Sequence, residues 1–193
     1  MAFGYPVFLD LQGVSVLLVG GGTIATRKAA GLAEAGAVIT VVAPEINAEL
    51  RTLAASVEQR AYRNGEAGNF QLVLTATDDA TVNAQVSSDA KAAGVWVNSA
   101  DDPQNCSFIL PAVARRGLVT MAISTGGASP ALASRLRTDI AERELTPAVQ
   151  AAAVELSRQR DEIKDAGGST EDIDWTDRVS AALGVTGTEN QLE

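Results

Sequence analysis

A doubly wound parallel α/β sheet followed by a smaller α+β part is the architecture that three observations predict for this chain. Short apolar runs rich in β-branched residues alternate with helical stretches through the first 110 residues. A glycine turn, Gly20-Gly21-Gly22, joins the first run to the first helix. After Pro111 the alternation stops, and a single strand pattern is followed only by helices.

Residues 14–19 (VSVLLV) are apolar without alternation, the pattern of a parallel strand buried on both faces. Gly20, Gly22 and Ala25 then fit G-x-G-x-x-A, the spacing of a dinucleotide-binding turn. Gly20 permits the tight turn, Gly22 lets the backbone approach a pyrophosphate, and Ala25 keeps helix 23–35 close to the strand. The helix start, at Thr23 and Ile24, presents N–H groups and a partial positive charge to phosphate. A glycine turn can also do no more than link a strand to a helix. The second strand, 37–43, arrives on schedule and favours nucleotide binding. Strands 57–62, 71–76 and 95–98 and helices 45–55 and 79–93 complete the alternation, with Asp78 or Asp79 as the cap of the last helix.

Ligands of such sheets lie outside the carboxyl ends of the strands. Here those ends are Gly20–Gly22, Ala43–Glu45, Thr75–Asp78 and Asn98–Asp102. The expected dinucleotide contacts are Gly20, Gly21, Gly22, Thr23, Ile24, Ala43, Pro44, Glu45, Thr77 and Asp78. An acid for the ribose hydroxyl is expected about 20 residues beyond the glycines. Ala43 and Pro44 occupy that strand end, and the first carboxylate is Glu45. No Arg or Lys stands there to hold a 2′-phosphate, so NAD is preferred to NADP.

Beyond Pro111, residues 118–124 read as a strand and Thr125–Pro130 as a turn. An amphipathic helix follows over 131–143, with Ser129 as N-cap and Pro130 in its first position. A second helix spans 146–164 from Thr146-Pro147, the glycines of 165–169 break it, and a short acidic helix is expected over 171–183.

The chain has 193 residues, 46% of them hydrophobic, enough for one full core and a small second unit. Its apolar stretches are far too short to span a membrane, and the first residues lack a basic leader. One cysteine excludes an intrachain disulfide framework, and a cytoplasmic location fits. The net charge of −9 argues against nucleic acid as a partner. That charge is uneven: residues 1–110 carry −5, residues 111–160 carry +3, and residues 161–193 carry −7. A basic segment inside an acidic chain suits either a solvated helix face or an anionic substrate. The absence of histidine removes imidazole bases, triads and imidazole metal ligands, so proton transfer falls to carboxylates, Lys, Tyr or Cys.

Asp101 and Asp102 follow the fifth strand, either as turn formers before Pro103 or as a general base beside the cofactor. Asn98, at the end of that strand, is a candidate to orient a ligand. Ser124, Thr125, Gly126 and Gly127 precede a helix start and offer hydroxyls and N–H groups to a carboxylate or phosphate, or form a capped turn. Arg115, Arg116, Arg135 and Arg137 flank that loop and either pair with substrate carboxylates or coat the surface. Cys106 reads as a packed residue, since no histidine activates it.

Several segments together resemble the siroheme synthase N-terminal family, precorrin-2 dehydrogenase often combined with sirohydrochlorin ferrochelatase. They are Tyr5-Pro6-Val7-Phe8, Val19–Gly22 with Ala25 and Arg27-Lys28, Ala76–Asp79, Asn98 with Asp101, Ser107-Phe108-Ile109 with Pro111, and Ser124–Gly127 with Ser129-Pro130. They stand in family order and cover about residues 5–145. The resemblance implies a Rossmann-like NAD-binding domain (1–112), a dimerisation segment (113–145) and a helical C-terminal module (146–193). It implies a homodimer in tetrapyrrole biosynthesis that passes hydride from precorrin-2 to NAD⁺, with Fe²⁺ a further substrate in members that also chelate. It places the catalytic carboxylate at Asp101; the expected substrate contacts are Asn98, Ser124, Thr125, Gly126 and Gly127 among its matched segments and, from the basic segment, Arg135 and Arg137. Thr125 departs from the family's usual serine but keeps the hydroxyl. A non-enzymatic NAD-responsive binding module is the alternative.

Overall fold

The computed structural model describes residues 4–100 and 102–185. Strands β1 (Ser15–Val19), β2 (Val38–Val42), β3 (Ser56–Glu58), β4 (Leu72–Thr75) and β5 (Trp96–Ser99) form one parallel sheet in the order β3-β2-β1-β4-β5. The chain leaves β1 toward β2 and β3, then returns to place β4 on the other flank of β1. That reversal makes the carboxyl ends of β1 and β4 the topological switch point, where such sheets open a crevice.

The sheet is apolar on both faces because helices cover both. Helices α1 (Thr23–Glu34) and α2 (Ala48–Leu53) pack Ala25, Ala29, Leu32 and Leu50 against Val16, Leu18, Ile39, Val41 and Leu74. On the opposite face, α3 (Ala80–Ala92) brings Val86 and Ala90 to Leu17, Val19, Val42, Val73 and Val97, joined by Ala67 of a 3-10 turn, Glu66–Asn69. Asp79, rather than Asp78, caps α3: its carboxylate accepts from the N–H groups of Thr81 (2.8 Å) and Val82 (3.3 Å).

Contacts divide the chain into two compact units, with the boundary between Leu110 and Pro111. The second unit contains an antiparallel hairpin of β6 (Ala112–Arg116) and β7 (Val119–Ile123), then α4 (Pro130–Glu144), α5 (Pro147–Asp165) and α6 (Thr176–Leu183). Ser129 caps α4 by accepting from the Leu132 N–H, as its sequence position predicts, and Thr146 caps α5 by accepting from the Val149 N–H. No helix among the described residues is long and apolar enough to cross a membrane.

Three expected elements differ, and one is added. The strand expected over 57–62 stops at Glu58, where the Arg60 N–H turns back to the Glu58 carbonyl at 2.9 Å. The helix expected over 45–55 begins only at Ala48, because residues before it are tied to the glycine turn: the Asn47 N–H donates to the Gly21 carbonyl at 2.9 Å. The helix expected over 171–183 starts at Thr176, after the Trp175 indole has folded back to the Thr170 carbonyl. Strand β6 is an element the sequence pattern does not predict: its outer residues, Arg115 and Arg116, are charged, and it is held by pairing with β7.

Candidate functional site

The three glycines after β1 occupy different surroundings. Gly20 adopts φ +125, and a Cβ there would meet the Ala76 carbonyl oxygen at 2.3 Å. A Cβ on Gly21 would lie 1.8 Å from the Glu45 carbonyl oxygen. Both are glycine because strand-end backbone from β4 and β2 closes over them. At Gly22 a Cβ would meet nothing within 4 Å, and its φ of −88 suits any residue. The chain's own packing therefore does not demand glycine at 22, and the open space there would admit close approach of a ligand.

Gly22 is also the N-cap of α1, without a side-chain cap and without an acid in the first turn. The first N–H groups of a helix have no partner within it. Gly22, Thr23 and Ile24 are exposed at this end, so the sheet's carboxyl edge presents donors and a positive dipole end, a setting that favours an anion.

The walls follow from strand pairing. The Gly20 N–H donates to Val42, the Ala76 N–H to Val19 and the Ala100 N–H to Thr75, at 2.8–3.0 Å. On the β2 side, Ala43 is buried, while Pro44 and Glu45 are exposed beside the turn. On the β4 side, the Asn83 amide clamps the loop: its Oδ1 accepts from both hydroxyls of Thr75 and Thr77, and its Nδ2 donates to the Thr77 carbonyl at 2.9 Å. The Thr77 hydroxyl and both its backbone groups are thus used inside the loop, the N–H donating to Asn83 Oδ1 at 3.3 Å, while Asp78 beside it is exposed.

At β5, Asn98 is buried and bonded within the chain. Its Oδ1 accepts from the Lys28 ammonium of α1 at 2.5 Å, and its Nδ2 donates to the Phe108 carbonyl at 3.0 Å. Cys106 packs beside it, its sulfur accepting from the Ser99 N–H at 3.1 Å, and burial pushes the thiol pKa up. That is the packed cysteine the sequence suggests. Asp102 caps the 3-10 turn Pro103–Asn105 by accepting from the Asn105 N–H at 3.3 Å, the turn-forming role open to either aspartate. Asp101 lies outside the described residues.

In the second unit, the loop before α4 is bonded to itself. The Thr125 hydroxyl accepts from the Ser129 N–H at 2.9 Å and donates to its carbonyl at 3.1 Å, and Ser124 Oγ accepts from the Gly126 N–H at 3.1 Å. Gly126 and Gly127 take positive φ values of 63 and 90. Arg135 is exposed and forks onto Asp139 at 2.7–2.8 Å, whereas half-buried Arg137 reaches Ser134 at 3.4 Å. The capped-turn alternative therefore describes the loop's own bonding, and Arg137 is less committed to a carboxylate than Arg135.

Three residues of this region are not singled out by sequence spacing: Asn83, Lys28 and Arg60. Asn83 and Lys28 sit on helices whose inward faces point at strand ends, a placement that helical periodicity from Asp79 and Gly22 would reveal. Arg60 follows β3, and the end of β3 lies beside the end of β2: Val42 pairs with Glu58.

A family described as "Putative NAD(P)-binding" matches residues 7–112, and one described as "Sirohaem biosynthesis protein central" matches residues 116–143. The chain is 45% identical to the siroheme synthase of Nitrosococcus oceani over 136 residues, 68% of this chain and 29% of that protein. It is 47% identical to the siroheme synthase of Azotobacter vinelandii over 139 residues, 70% of this chain and 30% of that protein. The chain thus spans about a third of the length of these curated relatives. A solved structure titled "SirC, precorrin-2 dehydrogenase" is 32% identical with a TM-score of 0.70, covering 94% of this chain and 88% of that one.

Proposed function

This chain belongs to the siroheme synthase N-terminal family, and on that premise we propose that it oxidises precorrin-2 to sirohydrochlorin with NAD⁺. The observation that carries the proposal is Gly22, a glycine open to solvent at the head of α1, beside two glycines that the backbone closes. NAD⁺, when bound, supplies the two-electron hydride acceptor. The N–H groups of Gly22, Thr23 and Ile24 would hold its pyrophosphate, with Gly20 and Gly21 shaping the turn. Ala43, Pro44 and Glu45 line the ribose side, and Thr77 and Asp78 the opposite wall. The reaction also releases a proton, and Asp101 is the proposed base. Asn98 acts by fixing Lys28 and the Phe108 segment at the end of β5. Ser124, Thr125, Gly126 and Gly127, with Arg135 and Arg137, are the proposed contacts for the carboxylate arms of the tetrapyrrole, and an exposed Arg135–Asp139 pair exchanges partners at little loss.

A cytoplasmic homodimer goes with this proposal, supported by the apolar stripe of Leu132 and Leu136 exposed on α4. Fe²⁺ is the proposed further substrate, inserted into sirohydrochlorin with Asp101 again receiving protons. Division of the second unit into a dimerisation segment, 113–145, and a helical module, 146–193, is part of the same proposal.

The test is Asp101→Asn. Loss of a general base lowers kcat by about 10²–10⁴-fold and leaves NAD⁺ affinity unchanged. Asp102→Asn is much milder, because that side chain serves the 103–105 turn. Near-normal dehydrogenation by a folded Asp101→Asn chain would remove the carboxylate from the mechanism.

A further inference from the structure

Arg60 is a guanidinium beside the ribose end of the site, and sequence spacing hides it. Glu58 is the last residue of β3 and pairs with Val42, the last residue of β2. The Glu58 carbonyl accepts from the Ala43 N–H at 3.3 Å, so the end of β3 adjoins the strand end expected to meet the ribose. Aligned residues of parallel neighbours face the same side of a sheet. Val42 packs with Ala67, and Glu66 precedes Ala67 in the 3-10 turn, so the Glu58 and Glu66 carboxylates converge on that side.

Arg60 lies between them with all five of its N–H donors engaged. Nε donates to Glu58 Oε2 at 2.7 Å. Nη1 donates to the Ala61 carbonyl and to Glu66 Oε1, each at 3.0 Å. Nη2 donates to Glu58 Oε2 and, at 2.6 Å, to Glu66 Oε2. The Arg63 N–H also donates to Glu66 Oε1 at 2.7 Å, which locks that carboxylate in place. Side-chain exposure is 21% for Arg60, 15% for Glu66 and 43% for Glu58, so the cluster is only partly screened by water. The Arg60 pairing holds the Glu66 carboxyl below its ordinary pKa against the opposing effect of burial.

We propose that this clasp sets the cofactor preference, by withholding the Arg60 guanidinium from a 2′-phosphate. A guanidinium has five donors, and none is left here for a phosphate oxygen. An uncharged 2′-hydroxyl has no need of that cation. Discrimination thus comes from a contact denied to the disfavoured ligand rather than from one added to the favoured ligand. This inference rests on the dinucleotide proposal above and deepens it, because it gives a physical cause for NAD over NADP where the expected acid at the end of β2 is missing.

The experiment is titration calorimetry of NAD⁺ and NADP⁺ with the full chain, as wild type, Glu58→Gln and Glu66→Gln. Glutamine keeps one acceptor oxygen, and Glu58 is exposed enough for its variant to fold. Wild type is expected to favour NAD⁺, and each variant to shift the affinity ratio toward NADP⁺ by about tenfold, as removal of one nearby charge predicts. NAD⁺ binding by wild type with an unchanged ratio in both folded variants overturns the inference alone. Failure of wild type to bind either dinucleotide overturns the underlying proposal, and the inference with it.

Discussion

Leu18 and Leu132 are the same side chain in two different settings. Leu18, in the central strand, is 0% exposed, packed between α1 and its strand neighbours with Val16, Ile39, Val41 and Leu74. Leu132, in the first turn of α4, is 50% exposed. The contrast extends to their units. The sheet unit buries apolar residues on both faces, whereas Ala133, Leu145 and Ala152 are the buried apolar residues among those described in the second unit. Leu118, Leu136 and Val154 remain exposed there. A unit with a closed core can hold a strand edge still enough to define a ligand site. A unit with exposed apolar helix faces is suited to contact with another surface.

Truncation separates the two settings most strongly. Leu18→Ala is expected to destabilise the sheet unit by about 2–5 kcal/mol, the range for a buried leucine whose cavity cannot collapse. Leu132→Asp is expected to change unfolding of the chain by no more than about 0.5 kcal/mol, as at other surface positions, while converting the proposed dimer to monomer. Denaturant unfolding together with sedimentation measures both. A Leu132→Asp chain that remains dimeric would take this stripe out of the interface.

A finer contrast lies inside the glycine turn. Gly21→Ala pushes a Cβ into the Glu45 carbonyl and is expected to destabilise the fold by about 1–3 kcal/mol, as overpacking does. Gly22→Asp is expected to leave stability unchanged or slightly raised, since Asp is a good N-cap, while severely weakening NAD⁺ binding. The new carboxylate occupies the pyrophosphate's place and repels it. Thermal unfolding and calorimetry read the two effects separately. Undiminished NAD⁺ affinity in Gly22→Asp would make this glycine a simple link between strand and helix.

Sequence periodicity reveals the elements whose signals are local. The β-branched run of β1, the caps at Asp79 and Ser129, the helix start at Thr146-Pro147 and the glycine spacing all follow from side chains near their partners. It misses what pairing creates. β6 is a strand because β7 lies opposite it, and its two arginines obscure the apolar pattern. β3 ends early because Arg60 turns to Glu58 and Glu66. The purpose of Gly21 depends on a carbonyl 24 residues away, at Glu45. Asn98 is visible as a strand-end amide, but its engagement by Lys28 and Phe108 is visible only in the fold.

Turnover tests the central proposal most directly. Wild-type chain mixed with precorrin-2 and NAD⁺ should form NADH, followed by its near-ultraviolet absorbance, in equal amount to the sirohydrochlorin produced. Formation of NADH that requires precorrin-2 and stops with Asp101→Asn is the expected result. A folded chain that binds NAD⁺ and precorrin-2 yet forms no NADH would contradict it and leave a dinucleotide-responsive binding module.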